Sequence, residues 1–136
     1  MIEIYSNNIN VDANAVIPFN NISIKKGCTA VLSAPSTIQI NKRGVYMLSC
    51  DASVVATTDG IASIQLYKNG IPQSQAQSLA TCATGNNESL SFTTLVQVQE
   101  DNNTCNCCDA PTLLHIVNTG IAAEYTDINV CVTKIC

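Results

Sequence analysis

Apolar and polar residues alternate one by one along much of this chain. In "VYMLSCDASVVA" the residues Tyr46, Leu48, Cys50, Ala52 and Val54 fall on one face, and Ser49, Asp51 and Ser53 on the other. That period of two is the pattern of a half-buried strand. "ESLSFTTLVQV" repeats it, setting Leu90, Phe92, Thr94, Val96 and Val98 against Ser89, Ser91, Thr93, Leu95 and Gln97. "DINVCVTKIC" does so again, with Ile128, Val130 and Val132 opposite Asn129, Cys131 and Thr133. Turn dipeptides separate the runs: Lys26-Gly27, Arg43-Gly44, Asp59-Gly60, Asn69-Gly70, Gly85-Asn86 and Thr119-Gly120. Asn69-Gly70 between "SIQLYK" and "IPQSQAQ" predicts a two-residue hairpin. No stretch has helical periodicity, and there is no internal repeat or linker. Short strands at this spacing predict an all-β antiparallel β-sandwich of the jelly-roll kind.

Composition sharpens that picture. The 136 residues suffice for one domain, 1–136, with residues 1–13 expected as an N-terminal arm or edge strand. Hydrophobic residues make up 46% of the chain but aromatics only 4%, with no Trp, so the core must be built from Val, Ile, Leu and Ala. Charged residues reach only 12%, so the surface must be Asn, Gln, Ser and Thr, or be covered by other subunits. With a net charge of −4 and no basic cluster beyond Lys25-Lys26 and Lys42-Arg43, nucleic acid and anionic membranes are not expected partners. "MIEIYSNNIN" lacks a basic segment followed by an apolar run, which argues against a signal peptide. No apolar stretch reaches membrane-spanning length.

The order of the pieces resembles the jelly-roll domain shared by tumour necrosis factor and the globular heads of complement-type collagenous proteins. It is closer still to bacterial and phage versions, including the C-terminal domain of the Bacillus exosporium collagen-like glycoprotein. The residues that carry the resemblance are "VIPFNNISIKKGC", "STIQINKRGVYMLSCDASV", "ASIQLYKNGIPQSQAQ", "LHIVNTG" and "DINVCVTKI", from about Asn14 to Ile135. Their order carries the likeness, since each motif alone is common. The resemblance implies a homotrimer with three jelly rolls around an axis. Two features depart from it: there is no Gly-X-Y collagen stalk, and the cysteine load is atypical.

Eight cysteines are the chemistry this sequence offers: Cys28, Cys50, Cys82, Cys105, Cys107, Cys108, Cys131 and Cys136. Zinc would need four nitrogen or sulfur ligands, usually in two spaced pairs. Cys105, Cys107 and Cys108 form C-x-C-C with no second pair nearby, and the chain has one His. A redox centre is disfavoured by the absence of C-x-x-C. Disulfides are the favoured reading for Cys28, Cys82, Cys105, Cys107, Cys108, Cys131 and Cys136, with the 105–108 cysteines tied to Cys82 and the C-terminal pair. Their connectivity stays open. Cys50, on an apolar strand face, is expected as a buried free thiol. No cofactor is expected; calcium held by Asp101 and Asp109 is the other metal alternative. His115 alternates with Leu113 and Val117, as a strand residue does, and no base–nucleophile pair is visible, so no catalytic residue is assigned. Sequons at Asn21, Asn87 and Asn102 are matched by chance in an Asn-rich chain.

These readings point to a non-enzymatic, trimeric structural or binding module on a particle surface, most plausibly a phage virion. Head decoration, fibre and host-surface attachment are the roles to expect, and virion proteins, cell-surface proteins or glycans the partners. The alternative is a spore-surface or fibre-forming protein cross-linked by disulfides. A carbohydrate-binding lectin is third, weakened by the missing Trp.

Overall fold

The alternating runs become strands. A computed structural model of the chain describes residues 1–27, 29–98 and 111–136. These hold ten strands: β1 (Ile2–Val11), β2 (Asn21–Lys25), β3 (Ala30–Ala34), β4 (Thr37–Ile40), β5 (Gly44–Ala56), β6 (Gly60–Lys68), β7 (Ile71–Cys82), β8 (Asn87–Val98), β9 (Thr112–Asn118) and β10 (Ala123–Lys134). The first sheet runs β2-β1-β10-β5-β8 and the second β3-β4-β9-β6-β7. All pairings are antiparallel, and the chain switches sheet after β2, β4, β5, β7, β8 and β9, which makes a jelly-roll sandwich.

Burial follows the alternation. Tyr46, Leu48, Cys50, Ala52, Val54 and Ala56 of β5 all face the other sheet, as do Leu90, Val96 and Val98 of β8. Ile64 and Leu66 of β6 and Leu114 and Ile116 of β9 close the core from the second sheet. Burying such side chains stabilises the sandwich by about 1.5–3 kcal/mol each before entropy is counted. Asn69 (φ 52) and Gly70 (φ 80) form the tight turn between β6 and β7, where Lys68 pairs Ile71. Both central residues at positive φ are what a type I′ hairpin requires.

Two features depart from plain alternation. Residues 1–13 are not an arm or an edge: β1 lies between β10 and β2, and β2 forms the edge outside it. Ile2 and Ile4 face the core, and the backbone of β1 is paired on both sides, with β10 and with β2. Midway along β1 the inward set changes from Ile2, Ile4 and Ser6 to Ile9 and Val11, at Asn8 with φ 54. Its neighbour β10 changes phase alongside, from Ala123 and Tyr125 to Ile128, Val130 and Val132, and its register with β5 shifts between Tyr125 and Asp127. A bulge of this kind adds local twist while returning apolar residues to the core.

Two buried polar side chains anchor the segment that leaves β1. Ser6 donates its hydroxyl to Pro18 O (2.8 Å) and accepts Asn20 N–H (2.9 Å), while Ile17 and Phe19 plug the core. Asn118, fully buried at the end of β9, donates its amide to the carbonyls of Val11, Asp12 and Ile121 and accepts Gly120 N–H. Its main-chain N–H reaches Ala15 O, and its carbonyl accepts Asn14 N–H. One side chain thus satisfies backbone groups of two segments, the end of β1 and the turn after β9.

Candidate interaction surfaces

The four described cysteines are free thiols in four different environments. Cys50 is 0% exposed in the middle of β5. Burial, and then the adjacent Asp51 carboxylate, push its thiol far up, so it stays protonated and unreactive. Cys82 is buried at the end of β7, with Sγ 3.7 Å from Ala80 O. The same core region holds the Tyr125 hydroxyl, which burial keeps protonated and which has no hydrogen-bond partner among the described residues. Cys131 is half-buried on the outer face of the first sheet, between Glu3 on β1 and Ser49 on β5, with Thr133 Oγ1 at 3.8 Å. Cys136 is exposed. Cys28, Cys105, Cys107 and Cys108 lie outside the described residues, as do the calcium candidates Asp101 and Asp109. Among the described residues no three His, Cys, Asp or Glu side chains come together as metal ligands.

Two titratable groups, His115 and Asp59, are tied to structural partners. His115 Nε2 lies 3.0 Å from Thr37 Oγ1. That contact follows from register, since β4 and β9 pair Ile38 with Leu114 and place residues 37 and 115 opposite each other one step on. Asp59 accepts Thr84 N–H (2.8 Å) and Thr84 Oγ1–H (2.9 Å), joining the β5–β6 turn to the β7–β8 turn. These two bonds hold its carboxyl below the usual range.

Two surface regions stand out among the described residues. The first is the outer face of the first sheet. Leu95 on β8 is 58% exposed and stands directly opposite Met47 on β5, itself 41% exposed, and Met47 opposes Thr133 on β10. The next outward row is Thr93, Ser49, Cys131, Glu3 and Ile24, and the one after it Ser91, Asp51, Asn129 and Tyr5. Ile22 and Ile24 are exposed on edge strand β2. The Glu3 carboxylate on this face accepts a hydrogen bond from Asn129 Nδ2 (2.9 Å). Small hydroxyl side chains let another surface approach closely, and the exposed Leu, Met and Ile lose most by staying in water.

The second region is a hollow of about 250 Å³ on the outer face of the second sheet, lined by Asn14, Val16, Tyr67, Gly70, His115 and Val117. Its wall is assembled from three parts of the chain. Val16 bridges to Val117 and Tyr67 pairs His115 across β6 and β9. The Asn69-Gly70 turn is fixed by Asn69 N–H to Leu113 O (2.8 Å) and Leu113 N–H to Asn69 Oδ1 (2.9 Å). Asn14 sits at φ 63, its N–H donating to Asn118 O at 2.7 Å. Nothing in the sequence pointed to this hollow, because Asn14 and Tyr67 are 53 positions apart in the chain. The outward parity of Tyr67, His115 and Val117 was the one available signal.

No family model matches the chain, and no curated protein matches it in sequence. Solved structures do match in fold. The chain is similar to Eiger TNF from S. frugiperda, with a TM-score of 0.71 at 13% identity over 99% of this chain and 92% of that one. It is similar to the globular domain of zebrafish complement 1qA protein, at 0.65 and 9% identity over 96% and 94%. It is also similar to PRD1 vertex protein P5, at 0.54 and 18% identity over 99% and 96%. The tumour necrosis factor and complement-head jelly roll is therefore the fold of this chain.

Proposed function

We propose that the protein is a non-enzymatic, homotrimeric structural and binding module on the surface of a particle, with a phage virion as its setting. The observation that carries the reading is the outer face of the first sheet: a row of Leu95, Met47 and Thr133 beside small hydroxyl side chains, with exposed Ile24 at the edge of the adjoining row. A sheet covered on one side by its partner sheet and bearing such residues on the other fits burial against further copies. The low charge of the chain fits the same arrangement. Similarity in fold to a phage vertex protein supports the virion setting, and similarity to complement and tumour necrosis factor domains supports an extracellular-type module.

Light scattering on the purified chain tests it. The expected mass is three times the 14.4 kDa chain. Leu95→Asp places a charge on the exposed row and should dissociate the trimer without unfolding the subunit. Leu79→Asp, equally exposed on the second sheet, should leave the mass unchanged. A stable monomer of the parent chain at micromolar concentration overturns the reading.

A cross-linked surface protein is the second reading, favoured by exposed Cys136 and by outward-facing Cys131. Disulfides through Cys131 and Cys136 would then join subunits, and ties within a subunit would fall to Cys28, Cys82, Cys105, Cys107 and Cys108. Non-reducing electrophoresis separates the two: a covalent ladder supports cross-linking, and a single monomer band supports non-covalent assembly.

A further inference from the structure

We propose that the hollow on the second sheet binds one neutral, N-acetylated sugar ring, an N-acetylhexosamine of a surface glycan. Its six lining residues include no Lys, Arg, Asp or Glu. A charged ligand would give up hydration there with no ion to replace it. The volume of about 250 Å³ lies just below the usual range for drug-sized ligands, which fits a single ring. The wall is chemically divided. Tyr67 offers an aromatic surface and a hydroxyl, Asn14 and His115 offer polar groups, and Val16 and Val117 form an apolar corner.

That division matches an acetamido sugar better than its alternatives. A sugar ring has an apolar C–H face for Tyr67 and hydroxyls for Asn14 and His115, and the acetamido methyl fills the valine corner. An alkyl chain would take the Tyr67 hydroxyl and the Asn14 side chain out of water without replacing their hydrogen bonds, which offsets its apolar contacts. A plain hexose would leave the valine corner wet. The wall is also held in place before any ligand arrives, by the Asn69–Leu113 bonds, the Asn14–Asn118 bond and the Thr37–His115 contact. Pre-ordered walls reduce the entropy lost on binding. The site itself stands without the trimeric reading and rests on it only for valency. The hollow is on the sheet opposite the proposed trimer face, so three copies would point outward and weak contacts would add.

The test is NMR titration of the full chain with methyl N-acetyl-β-glucosaminide and methyl β-glucoside. The acetamido sugar should shift Val16, Tyr67 and His115 in about the millimolar range, and the glucoside should bind roughly tenfold more weakly. Tyr67→Ala and Val16→Glu should each weaken binding by roughly tenfold or more. Val16 is 40% exposed, so its variant keeps the fold even if Tyr67→Ala does not. No shift at these residues at tens of millimolar, equal binding of both sugars, or full binding by Val16→Glu overturns the site. Light scattering on the same samples keeps the two proposals apart. A trimer that ignores the sugar overturns the site alone, and a monomer that binds it overturns the trimer alone.

Discussion

Replacing Asn118 with Ala should be among the most damaging single changes in this chain. The side-chain amide supplies hydrogen bonds to Val11 O (3.3 Å), Asp12 O (3.1 Å) and Ile121 O (3.0 Å), and its oxygen accepts Gly120 N–H (3.2 Å). Two amide hydrogens shared among three carbonyls, plus one acceptor, amount to three satisfied groups. Each is worth about 1 kcal/mol net, and stranding buried partners adds to that, so a loss of about 3–4 kcal/mol is expected. Against a total of roughly 5–15 kcal/mol this is severe. With a urea slope of about 1.5–2 kcal/mol/M, the midpoint should fall by about 2 M. Circular dichroism at fixed protein concentration reads it, since assembly would otherwise shift the midpoint by mass action. Asn118→Asp gives the sharper arm. A carboxylate there would face three carbonyl oxygens, so its folded pKa should lie above its unfolded value of about 3.9. Below that unfolded value both states are protonated and the variant's deficit relative to the parent is smallest. The deficit should grow as pH rises and level off above the folded pKa. A loss under about 1 kcal/mol for the Ala variant, or a pH-independent deficit for the Asp variant, refutes the assignment of Asn118 as an anchor.

Other outcomes follow from single contacts. Gly120→Ala should destabilise by about 2 kcal/mol or more, because a Cβ there would lie 2.6 Å from Ser63 N in the β6 backbone; a thermal melt reads it. Gly85→Ala has open space and should cost only about 1–2 kcal/mol for its left-handed conformation (φ 82), so a larger loss there undoes the comparison. Alkylation followed by mass spectrometry should label Cys136 first and Cys131 more slowly, leaving Cys50 and Cys82 unlabelled until denaturant is added; fast native labelling of Cys50 contradicts its burial. Asp59 should titrate below the usual carboxyl range by NMR and move up in Thr84→Val. Its contribution to stability should be present above the unfolded carboxyl pKa and fade as pH falls through the lower folded value. An unmoved titration in that variant removes the hydroxyl as a cause.

Much of the architecture was legible because a strand writes its environment into alternate residues. Leu48, Cys50 and Ala52 face the core for the same reason that Ser49, Asp51 and Ser53 do not, and Asn69-Gly70 demands its own turn. The bulge at Asn8 and Thr126 was not legible, because it depends on two strands changing phase together. Nor was the interior place of β1, since alternation says which face is buried but not which strand lies alongside. The cysteine-rich "EDNNTCNCCDAP" drew attention as chemistry, yet the hollow and the exposed sheet face are built from residues with no motif at all.

The sequence by itself determined the strands, their inward faces, the hairpin at Asn69-Gly70 and the class of fold, because those depend on neighbours within a few positions. Only the tertiary structure decided what stands beside what. It put Leu95 against Met47, Asn118 among the carbonyls of Val11, Asp12 and Ile121, and Asn14 at the rim of a hollow with Tyr67 and His115. Pairings across tens of residues are selected by the summed burial and hydrogen bonding of the whole sandwich, and no local stretch of sequence holds that sum.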